Sequence, residues 1–305
     1  MKALPILAGA IGMAFVGGSA AVSGRLADAP YLTVQSLRYA VACLLLIGWA
    51  RLTRAKLHRP RGSEWLWLLG VTVTGLLFFN VALVLGSEHA EPAVFGVAVA
   101  CVPILLAVGG PLLEGRSPAS RVTAAAVVVT AGAALVQGVG RADGIGLFWA
   151  AVTFACEAAF TLLALPLLGR HGPLGVSVHT TALATVLFGV VGVVAEGPSA
   201  VTRLRADDLL AGAYLAVLLT AVAFLLWYTC VARLGAGRAG LLTGVAPIAA
   251  ALTGMALGGP SPRPLVWLGI ATVAAGLALG LTARPPRPTH PQPNVGAASE
   301  PAMQH

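Results

Sequence analysis

The sequence predicts an all-α integral membrane protein with ten transmembrane helices, arranged as two inverted repeats of five helices each. Three observations support this: the composition, ten long apolar runs, and a repetition of the chain at a spacing of 144 residues. Of the 305 residues, 58% are hydrophobic and only 10% are charged, and the mean hydropathy is +0.88. A soluble domain carries about 25% charged residues. The composition therefore excludes a soluble enzyme, a nucleic-acid-binding protein and a disordered chain as descriptions of the main body.

Each apolar run is long enough to cross a bilayer as a helix, which takes about 20 apolar residues. The runs are continuous and do not alternate over about ten residues, which favours helices over a β-barrel. The first run is longer than the apolar core of a signal peptide, so we interpret it as a retained helix. The ten predicted spans are Ala3–Ser23, Tyr31–Ala50, Trp65–Gly86, Pro92–Leu113, Val122–Val139, Gly144–Leu168, Gly172–Ala195, Leu209–Ala232, Ala239–Leu257 and Leu265–Thr282.

Positive charges are divided unequally between the two sides of the predicted membrane. Thirteen Lys and Arg residues lie on the side of the N-terminus and five on the other. The positive-inside rule then places both termini in the cytoplasm of a protein that spans the plasma (inner) membrane several times. Residues 284–305 contain six of the twenty prolines and no apolar run, which predicts a disordered cytoplasmic tail.

Several less common residues recur at the spacing of 144. Pro103 matches Pro247, and Ser117-Pro118 matches Ser261-Pro262, as do glycines at Gly96 and Gly240, Gly110 and Gly254, and Gly132 and Gly276. The predicted repeats are residues 1–139 and 143–283. Because each holds an odd number of spans, the second starts on the other side of the membrane and is inverted. Inverted repeats are typical of secondary transporters, with a site near the membrane midplane.

Several short motifs occur in an order that resembles the EamA-type members of the drug/metabolite transporter superfamily. The resemblance covers about residues 5–283 and implies two five-helix repeats that export or exchange small metabolites, often amino acids. Glu157 stands where many members carry a tryptophan. The motifs are Gly17-Gly18-Ser19, Ser36–Ala40 followed by Cys43–Leu46, Phe79–Leu83, Pro103 with Leu113–Gly115, Leu226–Tyr228, and Arg233–Ala239 with Pro247.

Glu157 is the first candidate site residue. It lies about fourteen residues into the sixth predicted span, and a charge at the bilayer centre costs about 2.5–3.5 kcal/mol on insertion scales. Such a carboxyl group can exchange a proton for a substrate or bind a cationic one; the alternative is a protonated group that only joins helices. Thr153 and Thr161 lie on the same helical face, so we expect this face to point into a wet cavity.

Two other ionisable side chains lie within predicted spans. Arg38 can bind a substrate carboxylate, although the resemblance implies a structural role in helix packing. His179 can act as a proton-relay partner for Glu157 or as a neutral ring bonded to a carbonyl group.

Uncharged candidates complete the set. Asn80 and Gln35 either cross-link helices or line the cavity. Trp227 and Tyr228 either stack on substrate or belong to an aromatic belt at the membrane interface. The prolines Pro103 and Pro247 are candidate hinges, because each removes a helical hydrogen bond; a hinge predicts that Pro→Ala slows transport more than it harms folding.

These features favour a secondary transporter that is not an enzyme and uses no cofactor and no metal. The four cysteines lie singly within apolar runs, and no ATP-binding motif of the P-loop type occurs. The expected partners are a small-molecule substrate, membrane lipid and, as coupling ion, protons, for a monomer or homodimer with no nucleic acid. An integral membrane enzyme acting on lipid and a channel remain as alternatives.

Overall fold

The structure is a computed structural model that describes residues 3–19, 22, 26, 29–258 and 261–282. Within those residues nine helices are long and apolar enough to cross a membrane, and a shorter apolar helix precedes them. The predicted all-helical membrane architecture is confirmed. In chain order the helices are α1 (Ala3–Gly18), α2 (Tyr31–Leu52), α3 (Glu64–Gly86), α4 (Pro92–Leu113), α5 (Ser120–Gln137), α6 (Gly144–Leu162), α7 (Leu165–Glu196), α8 (Ala206–Leu234), α9 (Ala236–Ala256) and α10 (Pro264–Leu281).

The helix bounds differ from the prediction mainly between α6 and α7. Helix α6 ends at Leu162, six residues before the predicted Leu168, and α7 already begins at Leu165. The chain then turns within α7 at Gly172, where φ is 63° and ψ is 175°. Only glycine adopts this conformation readily, and the following Pro173 has no N–H to continue the helix. The predicted end of the first span and the predicted tail 284–305 lie outside the described residues.

The 144-residue spacing recurs in the element bounds. Helix α5 at Ser120–Gln137 corresponds residue for residue to α10 at Pro264–Leu281. Both α3 and α8 contain a π-helical segment, at Val71–Phe78 and Leu215–Val222, again 144 residues apart. A π turn is rare and is often found at functional sites, so its repetition in one register shows two copies of one structural unit.

Helix packing follows the same correspondence. Helices α2 and α7 pack together, as do α4 and α9, and α5 and α10. Helix α1 packs against α8 and α9, and its counterpart α6 packs against α3 and α4. Exchanging the two halves of the chain therefore leaves this set of contacts unchanged. A pairing in which each surface meets its own equivalent is that of an approximate two-fold relation.

Glycines allow a close approach of α5 to α10. A Cβ atom built on Gly132 would lie 2.8 Å from the backbone oxygen of Gly269 and 2.7 Å from the backbone nitrogen of Val273. A Cβ on Gly276 would lie 2.9 Å from the backbone nitrogen of Val129. Small residues of this kind let helices in a membrane approach closely enough for good van der Waals packing.

The helix ends define two faces of the protein. The basic face comprises residues 51–64, 114–121, 163–171 and 233–238, where Arg170 Nη1 donates to Glu64 Oε1 at 2.6 Å. The opposite face comprises residues 87–91, 138–143 and 196–205. There Glu196, at the end of α7, accepts hydrogen bonds from the backbone N–H groups of Leu32 and Thr33 at 2.7 and 2.9 Å. A carboxylate in this position caps the start of α2 and interacts favourably with the positive end of its helix dipole.

An ion-paired clasp joins two connections on the opposite face. Ala90 and Ala142 form an isolated antiparallel bridge, and Arg141 Nε donates to Glu91 Oε1 at 2.9 Å. The side-chain hydrogen bond from Arg141 lowers the pKa of Glu91. The backbone N–H of Gly146 lowers the pKa of Asp143, and His89 contributes at 2.9 Å.

Candidate functional site

A cavity of about 320 Å³ lies among α1, α2, α3, α6 and α8. Its wall includes Tyr31 at the start of α2 and Leu83 near the end of α3, so it extends from the opposite face towards mid-depth. On the side of the basic face, buried Leu68, Leu106 and Leu167 belong to the main hydrophobic core. The charged and polar lining residues are Arg38, Glu157, Ser19, Tyr31, Gln35, Tyr39, Asn80 and Trp227.

Three polar residues of α2 share one helical face and point into the cavity. Tyr31, Gln35 and Arg38 are spaced at i, i+4 and i+7, which aligns side chains along a helix. The Tyr31 hydroxyl and Gln35 Nε2 both donate to Asn80 Oδ1, at 2.5 and 3.0 Å. Asn80 Nδ2 in turn donates to the carbonyl oxygen of Leu76 at 2.5 Å. The network therefore joins α2 to α3, and Asn80 and Gln35 both cross-link helices and line the cavity.

Arg38 extends the same network to α8. Its Nε donates to Thr220 Oγ1 at 2.7 Å, and its Nη1 donates to Gln35 Oε1 at 3.0 Å. Only 8% of the residue is exposed, and no carboxylate of the described residues lies within 4.0 Å of it. A guanidinium group has five N–H donors, so most of them remain open. This fixed and uncompensated cation can bind a carboxylate from the cavity.

Glu157 is the second charged residue of the cavity wall. No hydrogen bond or ion pair joins its side chain to another described residue. A carboxylate in apolar surroundings is strongly disfavoured unless it is paired or protonated. Glu157 can therefore hold a proton while the cavity is empty and release it when a cation or water reaches it. Its predicted companions Thr153 and Thr161 do not line the cavity: Thr153 donates to the Trp149 carbonyl at 2.9 Å, and both are buried.

The π-helical segments of α3 and α8 both contribute to the wall. Gly75 and Leu76 line the cavity from α3, and Leu215 and Leu219 from α8. A Cβ atom on Gly75 would lie 2.9 Å from the Cα atom of Phe160. This close approach of α3 to α6 places Phe160, and with it Glu157 one turn earlier, against the cavity.

Trp227 and Tyr228 are buried inside the helix bundle. Their exposed fractions are 3% and 0%, so the belt interpretation is wrong for both. Trp227 lines the cavity, and its Nε1 donates to Thr161 Oγ1 at 3.0 Å. The Tyr228 hydroxyl donates to the carbonyl oxygen of Phe160 at 3.2 Å. Tyr228 therefore supports the wall from behind.

The structure does not bring His179 to Glu157. His179 Nε2 lies 2.9 Å from the backbone oxygen of His58, and its ring packs against that of His171 with centroids 5.3 Å apart. His171 Nε2 in turn lies 3.2 Å from Glu64 Oε2. His179 therefore belongs to the basic face. None of its contacts among the described residues is to Glu157, so a proton relay between the two stays a prediction.

Both candidate hinge prolines follow an interruption of their helix. Helix α4 is interrupted at Cys101, and Pro103 is buried in the first turn of the segment that follows. Helix α9 passes through a tighter turn at Leu242–Gly244, and Pro247 lies in the first turn after it. The hinge interpretation stays a prediction.

Several site residues were not predicted from the sequence, among them Tyr31, Tyr39 and Thr220. The spacing of Tyr31 from Gln35 and Arg38 on one helix was a usable signal. Thr220 had none, because its contact with Arg38 spans 182 positions of the chain. Its own neighbours are apolar.

The model of the EamA-like transporter family matches residues 3–137 and 144–282. The chain belongs to this family. The EamA-like family assignment confirms the resemblance drawn from the motifs, and it identifies the protein as a multi-pass membrane transporter.

One relative shares most of its length with this chain. It is 25% identical over 286 residues, which are 88% of this chain and 84% of the relative, described as the uncharacterized transporter YetK of Bacillus subtilis (strain 168). A solved crystal structure superposes with a TM-score of 0.75 at 18% identity, covering 90% of this chain and 96% of its own. At that identity the superposition shows a shared fold alone.

Proposed function

We propose that the protein is a secondary transporter that moves a small metabolite bearing a carboxylate, an amino acid or a related compound, in exchange for protons. One observation supports this most directly. The cavity wall contains two charged side chains, Arg38 and Glu157, and neither is paired with an opposite charge in the described residues. Unpaired charges within a membrane are costly and mark substrate or ion pathways.

The two charges suit two different tasks. The open donors of Arg38 match the two oxygens of a carboxylate, in a fork that gives both strength and orientation. Glu157, on another helix, suits a substrate ammonium group or a proton. The volume of about 320 Å³ lies in the range of small-molecule sites. Phe160, Phe224 and Trp227 supply an apolar wall for a side chain.

We further propose that the basic face is cytoplasmic and that both termini lie there, in the plasma (inner) membrane. The charge asymmetry supports this orientation, under which the cavity extends towards the outside. The paired helices and the odd number of crossings in each half support an inverted repeat that alternates between two openings.

Single cysteines test the orientation. In a variant with the four native cysteines replaced, cysteines at exposed Ser87 and Ser199 should react with an impermeant thiol reagent added to intact cells. Cysteines at exposed Ser63 and Ser117 should react only after the membrane is opened. Labelling of Ser63→Cys from outside would show that the orientation is the opposite one.

Glu157→Gln tests the coupling role. The change keeps the shape and the hydrogen-bonding groups of the side chain but removes its ability to exchange a proton. We expect counterflow of radiolabelled amino acids in proteoliposomes to be saturable in the wild type and to accelerate with a pH gradient. In Glu157→Gln the dependence on the pH gradient should disappear while the protein still inserts and keeps its thermal stability.

A matched control is Glu88→Gln, at an exposed glutamate outside the cavity, which should keep the wild-type pH profile. An unchanged pH profile in Glu157→Gln would assign the carboxyl group to helix packing. A complete absence of saturable counterflow in the wild type would favour the alternatives of a lipid-modifying enzyme or a channel.

A further inference from the structure

A second cavity opens on the flank of the protein, between α2 and the first part of α8. Its volume is about 170 Å³, and its walls are apolar, with Leu37 and Val41 from α2 and Leu209 and Ala213 from α8. Leu37, Val41 and Leu209 are 37%, 40% and 53% exposed. In a membrane-spanning segment such exposed aliphatic residues face hydrocarbon. We call this cavity the side crevice; it opens towards lipid.

Arg38 lies on the wall of both the side crevice and the central cavity. It is the point at which the two cavities adjoin. Its Nη2 group has no hydrogen-bond partner among the described residues, whereas Nε and Nη1 hold Thr220 and Gln35. The other charged residue of the lining, Asp208, lies at the water end of the crevice. There it accepts a hydrogen bond from the backbone N–H of Arg205 at 2.9 Å.

At the position equivalent to Gly212, the other repeat has a large buried side chain. At the spacing of 144 residues, Gly212 and Ala213 of α8 correspond to Leu68 and Leu69 of α3. Leu68 is fully buried and belongs to the main core, so it fills the equivalent space between α3 and α7. A Cβ on Gly212 would lie 3.5 Å from Val34 Cγ1, an ordinary contact. Close packing therefore does not require glycine here, and the two small residues are what leave the crevice open.

We propose that the side crevice is a lateral entrance for amphipathic carboxylates, molecules with one carboxylate and a flexible apolar tail. The carboxylate binds Arg38 in the central cavity, and the tail lies in the crevice with its end in the adjoining leaflet. This proposal rests on the proposed role of Arg38 in binding a carboxylate. It extends the substrate class from small metabolites to acids too apolar to approach from water.

The depth of the Arg38 charge selects this occupant over a membrane phospholipid. The cation at the inner end lies about 10 Å below the start of α2, seven residues along the helix. This depth is within the hydrocarbon layer, whereas phospholipid headgroups stay near the interface. An acid with a single tail can bring its carboxylate to this depth because it meets a fixed guanidinium group there.

The test uses photoreactive probes with the purified protein in lipid nanodiscs. One probe is a long-chain fatty acid with a diazirine on its tail; the other has the same tail and a trimethylammonium head. We expect the fatty acid to label peptides containing Leu37, Val41 and Leu209 about tenfold more than the cationic probe does. This factor corresponds to the free energy of one charge-assisted hydrogen bond. Equal labelling by both probes would overturn the proposal, because it would show only a lipid-facing surface.

Two variants should close the crevice. Ala213→Trp places a large side chain in its mouth, and Gly212→Leu copies Leu68 of the other repeat. Each should remove the preference for the anionic probe. The matched control is Ala151→Trp, at an exposed position seven residues from the start of α6, as Ala213 is from the start of α8; it should label like the wild type. An undiminished preference in a folded Ala213→Trp or Gly212→Leu protein would contradict a lateral entrance.

The same preparations separate this proposal from the proposed function. Counterflow of short amino acids uses only the central cavity and should continue in Ala213→Trp. Loss of probe selectivity with intact counterflow would support both proposals. Counterflow in the wild type without charge-selective labelling would overturn the lateral entrance alone, and absence of counterflow with selective labelling would overturn the proposed function alone.

Discussion

Helices α2 and α7 occupy equivalent places in the two repeats and pack against each other, yet their chemistry differs. Gln35 and Arg38 of α2 correspond to His179 and Ala182 of α7 at the spacing of 144 residues. Arg38 lines the central cavity, whereas His179 contacts the connection on the basic face. The two halves therefore share a scaffold and differ in the side chains at equivalent positions of these helices.

The rest of the cavity wall shows the same division. Met13 of α1 corresponds to Glu157 of α6, and Asn80 of α3 corresponds to Phe224 of α8; all four line the cavity. Equivalent positions thus reach the same cavity, but one repeat supplies the cation and the amide, and the other supplies the acid and the aromatic ring. The duplication accounts for the shared helix positions, while the divergence of side chains gives the cavity two chemically distinct ends.

Arg38→Gln should give the largest effect on the α2 side of this comparison. Loss of a charge-assisted hydrogen bond to a carboxylate costs about 1.5–3 kcal/mol, so the half-saturating concentration in amino-acid counterflow should rise about tenfold to a hundredfold. Arg38→Lys keeps the charge but loses the forked pair of donors. Its half-saturating concentration should lie between those of the wild type and Arg38→Gln. The measurement is the concentration dependence of counterflow in proteoliposomes.

Arg51→Gln, in the last turn of the same helix and exposed, is the matched control and should keep the wild-type concentration dependence. An Arg38→Gln protein with unchanged half-saturation would show that Arg38 serves helix packing through Thr220 and Gln35, as the family resemblance implied, and not substrate binding.

The shared scaffold predicts equal effects at equivalent glycines. Gly132→Ala and Gly276→Ala each bring a Cβ within 3.0 Å of backbone atoms of the facing helix, so α5 and α10 must separate. Overpacking of this kind costs about 1–3 kcal/mol, and we expect both variants to lower the Tm by similar amounts in a thermal unfolding assay. Gly254→Ala, in the interior of α9 with no atom within 4 Å of the new Cβ, should leave the Tm unchanged or raised. Unequal decreases in Tm for the two variants would contradict the two-fold relation.

The sequence predicted the scaffold well because transmembrane helices are specified locally. An apolar run sets the position of a helix, and the recurring Pro and Gly residues identified the spacing that the π-helical segments and α5 and α10 later matched. It predicted the site in part: a charge within an apolar run is visible by itself, which identified Arg38 and Glu157. It failed where the answer depends on partners distant in the chain, as for Thr220 beside Arg38, His179 beside His58, and the buried Tyr228. In the sequence alone, the side crevice is indicated only by the comparison of Gly212 with its equivalent Leu68.

The smallest expected effect concerns the clasp on the opposite face. The hydrogen bond from Arg141 lowers the pKa of Glu91, and the positions equivalent to these two residues are 235 and 285. Position 235 is Gly235, so this ion pair is not repeated on the basic face. Because the folded pKa lies below the unfolded one, near 4.3, the pair contributes stability that is fully present above the unfolded pKa. That stability is lost as the pH falls through the folded pKa.

Glu91→Gln should therefore lower the Tm at pH 7 but not at a pH below the folded pKa of Glu91, where the wild-type carboxyl group is also uncharged. The pair is exposed, and exposed ion pairs stabilise little, so we expect a difference of about 1 °C that shrinks further at high salt. The measurement is the Tm of both proteins between pH 3 and pH 7, with the exposed neighbour Glu88→Gln as control. A difference that persists unchanged at pH 3 would mean that the substitution acts through the packing of the side chain beside Arg141, and not through the charge of the clasp.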